Sequence, residues 1–376
     1  MRRAAAVTIL ALPAAVAACG AAATAPPAHT AQTPATCAGT ARGELVDVAR
    51  RIYDQAVSGR NEVAAVARIR RSTALARAVA ARDPRAVRAA LAPLIKNRIT
   101  RIDVSAGGRT LARVGTVPAY APVGGVIGAG AGRYVLSVGD DRAFEAITRG
   151  LTGATVRFGG AVSASFAATT FPGHRTTVSL GLPARPPVAC GATAGDTRAA
   201  TIGLVGRNLI RAEAQGPTAT QALKHAAGTP AFRRAIAAGD PTAVRAAIIG
   251  FFRDSRFHIV RVRAWKGTRL ITDVGGPYVL SPASAAIRGP GGQIVGRFML
   301  SVQDDTGFIK LMHRFTGADV VLHAGATTVP GSNLSPGPPF APGLQSVTYR
   351  GRRLRAYGLS APAFPSGRLR VSLLVP

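Results

Sequence analysis

Apolar residues recur every three to four positions over Leu45, Val48, Ile52, Tyr53 and Val57, and again over Ile202, Val205, Leu209 and Ile210. Each run draws one face of a long amphipathic helix. Two shorter helices are expected after each; in the second stretch they start behind Gly216-Pro217 and Thr229-Pro230, with proline at the favoured first helical position. Asp83-Pro84 and Asp240-Pro241 then supply an N-cap oxygen and a fixed φ for one more helix, with Val244, Ile248 and Phe252 on its inner face in the second stretch. The period then changes to two. Residues 98–104 and 258–265 read as strands that turn at glycines into strands 110–114 and 269–274. After a loop, strands 133–138 and 296–302 end at paired aspartates, helices run on to Leu151 and Phe315, and closing strands finish with 176–182 and 369–375.

The second pass repeats the first. Leu136-Ser137-Val138-Gly139-Asp140-Asp141 returns as Leu300-Ser301-Val302-Gln303-Asp304-Asp305, and Leu151-Thr152-Gly153-Ala154 as Phe315-Thr316-Gly317-Ala318, both 164 residues later. Asp83-Pro84 and Asp240-Pro241 are 157 apart, Cys37 and Cys190 are 153 apart, and Phe171-Pro172 returns as Phe364-Pro365 after 193. A duplicated unit follows, 37–183 and 190–376, joined by the short proline-stiffened linker 184–189. The growth in offset from 164 to 193 places 29 extra residues in the second unit, an inserted loop and strand at 326–354.

Composition adds a location. Met1-Arg2-Arg3 and the apolar stretch 4–18 have the form of a secretory signal, too short to span a bilayer. Val16-Ala17-Ala18-Cys19-Gly20 resembles the bacterial lipobox, so residues 1–19 are expected to be a lipoprotein signal peptide and Cys19 the lipidated residue that holds the protein on the extracytoplasmic face of the cell membrane. Residues 20–36 are mostly Ala, Thr, Pro and Gly and are expected to form a tether. Lys plus Arg number 47 against 17 acidic residues, a formal charge of +30. That balance fits attraction to an anionic membrane or wall surface, and equally an arginine-rich coding bias with solvated side chains. One Trp and six Tyr are too few for a basic and aromatic nucleic-acid groove, so no nucleic-acid partner is expected.

Enzyme signatures are missing from the inventory. The histidines offer no pair at metal-ligand spacing, the cysteines no CxxC, and no Gly-x-Ser-x-Gly elbow occurs. No metal, cofactor or catalytic residue is implied, and the protein is not expected to be an enzyme. The adjacent pairs Asp140-Asp141 and Asp304-Asp305 are read as helix caps, the second aspartate of each pair being placed to cap. Cys37 and Cys190, each just ahead of a first helix in an oxidising compartment, are expected to bridge the units.

The order of long helix, small helices, hairpin, loop, strand, helix and closing antiparallel strands is similar to that of extracytoplasmic PAS-like sensors called Cache domains, over nearly all of residues 41–376. The resemblance implies an α+β fold of two tandem PAS-like units, each an antiparallel sheet with a long N-terminal helix. It also implies small-molecule binding on the sheet face beneath the small helices. In the second unit Arg261, Arg263 and Trp265 share one strand face, with the apolar face expected on the long helix. Asp273 and Tyr278 would complete an amphoteric pocket; solvated edge charges are the alternative. The first unit has Asp103 and Ser105 in place of Arg263 and Trp265, so its pocket is expected to be degenerate. The expected function is that of a sensor-type lipoprotein that binds an anionic or zwitterionic ligand and acts through an unidentified membrane or envelope protein. A basic envelope-binding scaffold is the alternative.

Overall fold

The computed structural model describes residues 33–376 apart from 96–98, 116–117, 161–163, 183–187, 189, 255, 277, 331–340, 365–366 and 376. The signal peptide, Cys19, most of the tether, most of the linker and the middle of the inserted loop lie outside the described residues.

Repeat one opens with α1 (Pro34–Ser58), α2 (Arg60–Arg71), α3 (Thr73–Ala80) and α4 (Pro84–Ile95). Strands β1 (Arg101–Ala106), β2 (Arg109–Val114), β3 (Ala119–Tyr120), β4 (Val123–Ile127), β5 (Gly132–Ser137) and β6 (Gly139–Asp140) lead into α5 (Asp141–Thr152). β7 (Thr155–Phe158), β8 (Ser165–Thr170) and β9 (His174–Gly181) close the repeat. Repeat two has α6 (Ala194–Gln215), α7 (Pro217–Gly228), α8 (Pro230–Ala238) and α9 (Pro241–Arg253), followed by β10 (Arg261–Lys266), β11 (Arg269–Gly275), β12 (Val279–Leu280), β13 (Ala283–Arg288), β14 (Ile294–Ser301) and β15 (Gln303–Asp304). After α10 (Asp305–Thr316) come β16 (Asp319–Ala324), β17 (Thr327–Thr328), β18 (Gly343–Tyr349), β19 (Arg352–Phe364) and β20 (Gly367–Val375). The fold is α+β.

Each repeat divides its strands between two antiparallel sheets. The outer sheets have the same order, β2-β1-β5-β4 and β11-β10-β14-β13. The inner sheets also correspond: β6-β3-β8-β9-β7 against β15-β12-β19-β20-β16, to which the insertion adds β17 beyond β16 and β18 beside β19. The repeated sequence motifs mark where elements stop. Gly153 and Gly317 take left-handed φ of 75° and 72° at the ends of α5 and α10, and Thr152 and Thr316 donate to the carbonyls of Thr148 and Met312 at 2.6 and 2.7 Å. Thr-Gly-Ala is therefore a helix stop that only glycine completes at low cost.

Two expectations need correction. Thr33 caps α1 and Pro34 occupies its first turn, so the expected tether ends before residue 33, because proline at a helix start extends rather than breaks it. The capping aspartates are the first of each pair. Asp140 accepts from the Ala143 N–H at 2.8 Å and Asp304 from the Gly307 N–H at 2.5 Å, since the last extended residue, not the first helical one, faces the free amides.

The outer sheet of each repeat packs under its own small helices, around Ile69, Leu75 and Tyr134 in repeat one and around Phe232, Phe251 and Phe298 in repeat two. The inner halves merge. Leu45, Val48 and Ile52 of α1 and Ile202, Val205 and Leu209 of α6 lie in one core with Phe144, Phe308 and both inner sheets. The contact has pseudo-twofold character: Asn208 on α6 donates to the Leu151 carbonyl at the end of α5, at 2.9 Å. Arg51, its counterpart at the 157-residue spacing, reaches Gly317 at the end of α10. Both place a donor or cation at a helix C-terminus, where free carbonyls favour it.

Candidate functional site

Cys37 and Cys190 form a disulfide with Cα atoms 5.6 Å apart, joining the start of α1 to the chain just before α6. Beside it Arg198 Nε donates to Glu44 Oε2 at 3.0 Å, and Arg355 Nε stands 3.1 Å from Asp196 Oδ1. Burial pushes the Glu44 carboxyl above its usual range against the opposing pull of Arg198. The long helices are thus fastened at their N-terminal ends.

The residues singled out on β10 meet on one face. Arg261 grips Asp273 with two bonds, Nε to Oδ1 at 2.7 Å and Nη2 to Oδ2 at 2.8 Å, and its Nη1 donates to the Gly276 carbonyl at 2.5 Å. Arg263 Nε lies 2.8 Å from the same Oδ2. Both guanidiniums stand over Phe364, at 5.5 and 5.6 Å, and Trp265 lies between Arg263 and Arg297 at 5.9 and 5.4 Å. Tyr278 is not part of this group; it packs against the central core.

The apolar face of β10 does not rest on the long helix. Val262 and Ala264 pack into the outer core with α7, α8 and α9, because the strand belongs to the outer sheet and α6 is taken up by the inner one. The sheet face under the small helices is filled, with Phe232 edge-on to Phe251 at 5.1 Å and to Phe298 at 5.4 Å.

Repeat one carries the same cluster with its charges exchanged. Asp103 on β1 lies 3.9 Å from Arg101 and 3.4 Å from Arg113 on β2, and Arg101 stands 4.4 Å over Phe171. Asp103 faces Arg113 across the hairpin as Arg263 faces Asp273. In both repeats two arginines share one aspartate; Arg261 and Arg263 stand over Phe364 at the end of β19, and Arg101 stands over Phe171 just past the end of β8. The cluster therefore joins outer to inner sheet, and its acid is already matched by base.

A different site is open. A cleft of about 930 Å³ lies between the repeats at the far ends of α1 and α6. Gln55, Gly59, Arg60 and Asn61 of repeat one face Glu213, His258, Gln303, Lys310 and Arg314 of repeat two. The volume lies within the range of small-molecule pockets, roughly 300–1,000 Å³.

Glu213 stands out chemically. It is half-buried, has no hydrogen bond or ion pair with any described residue, and burial alone pushes its carboxyl above the usual range. Lys310 and Arg314, one turn apart on α10, and Arg60 at the start of α2 are exposed on the same cleft, also without ion-pair partners among the described residues. Asp304, the other acid, is engaged as the α10 cap. The cleft is lined by one carboxylate, Glu213, and three cations, Lys310, Arg314 and Arg60, none of them paired with another described residue.

These charges have no counterpart in the other half. At the 157-residue spacing Glu213 corresponds to Ala56, which is buried in the core; at the 164-residue spacing Lys310 and Arg314 correspond to Ala146 and Gly150. The sequence carried one trace of the site: Glu213 falls four residues after Leu209, on the apolar stripe of its helix, where a carboxylate is out of place. Among the described residues no group of three or more His, Cys, Asp or Glu could hold a metal ion, and no helix is long and apolar enough to cross a membrane.

No protein-family model and no curated protein matches the chain. Among solved structures it has weak likeness to the periplasmic domain of Vibrio cholerae LuxQ, at 12% identity and a TM-score of 0.30 over 45% of this chain and 97% of that one. It also resembles, at 12% identity and a TM-score of 0.29, an extracellular ligand binding receptor from Desulfohalobium retbaense, over 50% of this chain and 41% of that one.

Proposed function

We propose that the protein is a binding module of the extracytoplasmic face, of the PAS-like sensor type, tethered by lipid at Cys19. It takes a small zwitterion in the cleft between its repeats. The observation that carries this reading is Glu213, a half-buried carboxylate with no cationic partner among the described residues of a chain with 43 arginines and 4 lysines. An unmatched buried charge lowers stability, and its partner in the working protein is then a ligand. An ammonium group is the match for Glu213, while Lys310, Arg314 and Arg60 take a carboxylate or similar anion.

Binding of this kind joins the repeats. Glu213, Lys310 and Arg314 belong to repeat two, Arg60 to repeat one, and the disulfide holds the other ends of α1 and α6. Cys37 lies roughly 27 Å from Gln55 along α1 at the helical rise per residue. A ligand drawn to both repeats closes the open end about the fastened end, and the change in angle is available to an envelope partner. The role is binding, without a catalytic step.

The test is a melting-temperature and calorimetric titration of the full chain carrying Cys19→Ala, with amino acids, the matching amines and the matching carboxylic acids as probes. Amino acids are expected to raise the melting temperature above either half-molecule. Glu213→Gln and Lys310→Gln should each weaken that binding by roughly tenfold or more. No stabilisation by any zwitterion, or equal binding by the Glu213→Gln protein, would overturn the reading.

A further inference from the structure

The hairpin added to repeat two extends past the N-terminus of α6. Leu359 of β19 lies against Gly206 of α6, Tyr357 against Gly203, and Arg355 against Gly195 and Asp196. The strand therefore runs along the helix toward its N-terminus. Continuing from Arg355 to the β18–β19 turn at Arg350 and Gly351 carries the hairpin roughly 13–17 Å beyond that contact, at about 3.3 Å per residue. The disulfide between Cys37 and Cys190 sets the first turn of α1 at this same end. The chain enters α1 through Thr33 and Pro34 at this end.

The tip is cationic. Arg350, Arg352 and Arg353 are all exposed; Arg350 stands over the Tyr349 ring at 5.5 Å, and Arg352 and Arg353 have no carboxylate partner among the described residues. Two residues further in, Arg355 is matched by Asp196. Arg42 of α1 and Arg157 of β7 line a groove of about 380 Å³ near the second turn of α1, on the repeat-one side of this end. Near the disulfide Asp196 is committed to Arg355 and Glu44 to Arg198. Among the described residues repeat one has no hairpin at the matching place.

We infer that this end is a docking face for an anionic membrane surface, with the β18–β19 tip as its principal contact. Arg352 and Arg353 can reach headgroup phosphates without displacing an ion pair to any described residue, and the half-buried Tyr349 beside them suits the headgroup level. The choice of a membrane as the surface rests on the reading of Cys19 as the lipid attachment point; the cleft plays no part in it. Docking would set the long helices upright on the bilayer, with the ligand cleft at their far ends.

The experiment is vesicle co-sedimentation of the full chain carrying Cys19→Ala, which removes the lipid and leaves only the protein surface. Vesicles of phosphatidylcholine alone are compared with vesicles containing about one third phosphatidylglycerol, at roughly 0.1 M salt. The protein is expected to partition to the anionic vesicles, and Arg350→Gln, Arg352→Gln and Arg353→Gln together should lower that partitioning roughly a hundredfold. A control of equal charge change, Arg85→Gln, Arg88→Gln and Arg245→Gln on α4 and α9, should lower it less than about threefold. Arg352→Gln alone, at an exposed site, should cost roughly fivefold and serves if the triple variant melts early. Equal losses from the two triples, or equal partitioning to neutral vesicles, would overturn the docking face. Retention of the acylated protein on membranes at high salt reports separately on the lipid anchor.

Discussion

Repeat one and repeat two share their outer sheet order and, apart from the added β17 and β18, their inner one, and they differ in where they keep their charge. The inter-sheet cluster survives a reversal of polarity: Asp103 opposite Arg113 in one copy, Arg263 opposite Asp273 in the other, each beside an arginine stacked on phenylalanine. What such a position requires is a matched pair, not a given residue on a given strand. The cleft shows the opposite behaviour. Glu213, Lys310 and Arg314 have Ala56, Ala146 and Gly150 as counterparts, so charge there is not a condition of folding. The matched inter-sheet cluster recurs in both repeats; the unmatched cleft charges have no counterpart in repeat one.

The largest effect should come from separating the copies. The disulfide closes 153 residues, and Cys37→Ala with Cys190→Ala is expected to lower unfolding free energy by about 3–5 kcal/mol in a denaturant titration. A loss below about 1 kcal/mol would mean that the shared core alone holds the repeats.

Next comes the exchange of charges. Asp273→Ala leaves two arginines, mostly shielded from water, without their acid and should cost about 2–3 kcal/mol. Asp103→Ala should cost about 1 kcal/mol, because Arg113 is largely exposed and the separations are longer. The double variant Arg263→Asp with Asp273→Arg writes the repeat-one polarity into repeat two and should recover most of the Asp273→Ala loss. If it is no more stable than Asp273→Ala, the equivalence of the two clusters fails.

The smallest effect sharpens the other half of the comparison. Burial raises the Glu213 carboxyl in the folded protein, so between its unfolded and folded titration ranges the unfolded chain holds fewer protons and stability falls as pH rises. Glu213→Gln escapes that loss. It should melt about 2 °C above the parent at pH 7, with the difference vanishing below about pH 4, while losing affinity for zwitterions. A variant less stable than the parent at pH 7 would show that Glu213 has a structural partner.

Much of the fold was legible because its signals are local. Asp-Pro dipeptides start α4 and α9, Gly-Pro and Thr-Pro start α7 and α8, and the period of two in 258–265 alternates Val262 and Ala264 inward with Arg261, Arg263 and Trp265 outward. Side-chain alternation gives the faces of a strand but not what lies on either side. Hence the arginine face was correctly drawn while its neighbours were not: the apolar face met the small helices, and the arginines met Asp273 and Phe364. The helix caps were placed one residue late, because sequence spacing alone does not say where extended backbone ends.

The amino-acid sequence by itself determined the duplication, the order of elements, the partner cysteines as candidates and the excess of positive charge, since each depends on neighbours along the chain. Only the tertiary structure decided that α1 and α6 share one core, that the arginines of β10 are already matched, and that Glu213 is not. Whether a charge is satisfied can depend on a group far along the chain brought within a few ångströms, as Arg198 meets Glu44 across 154 residues. No local pattern encodes that distance.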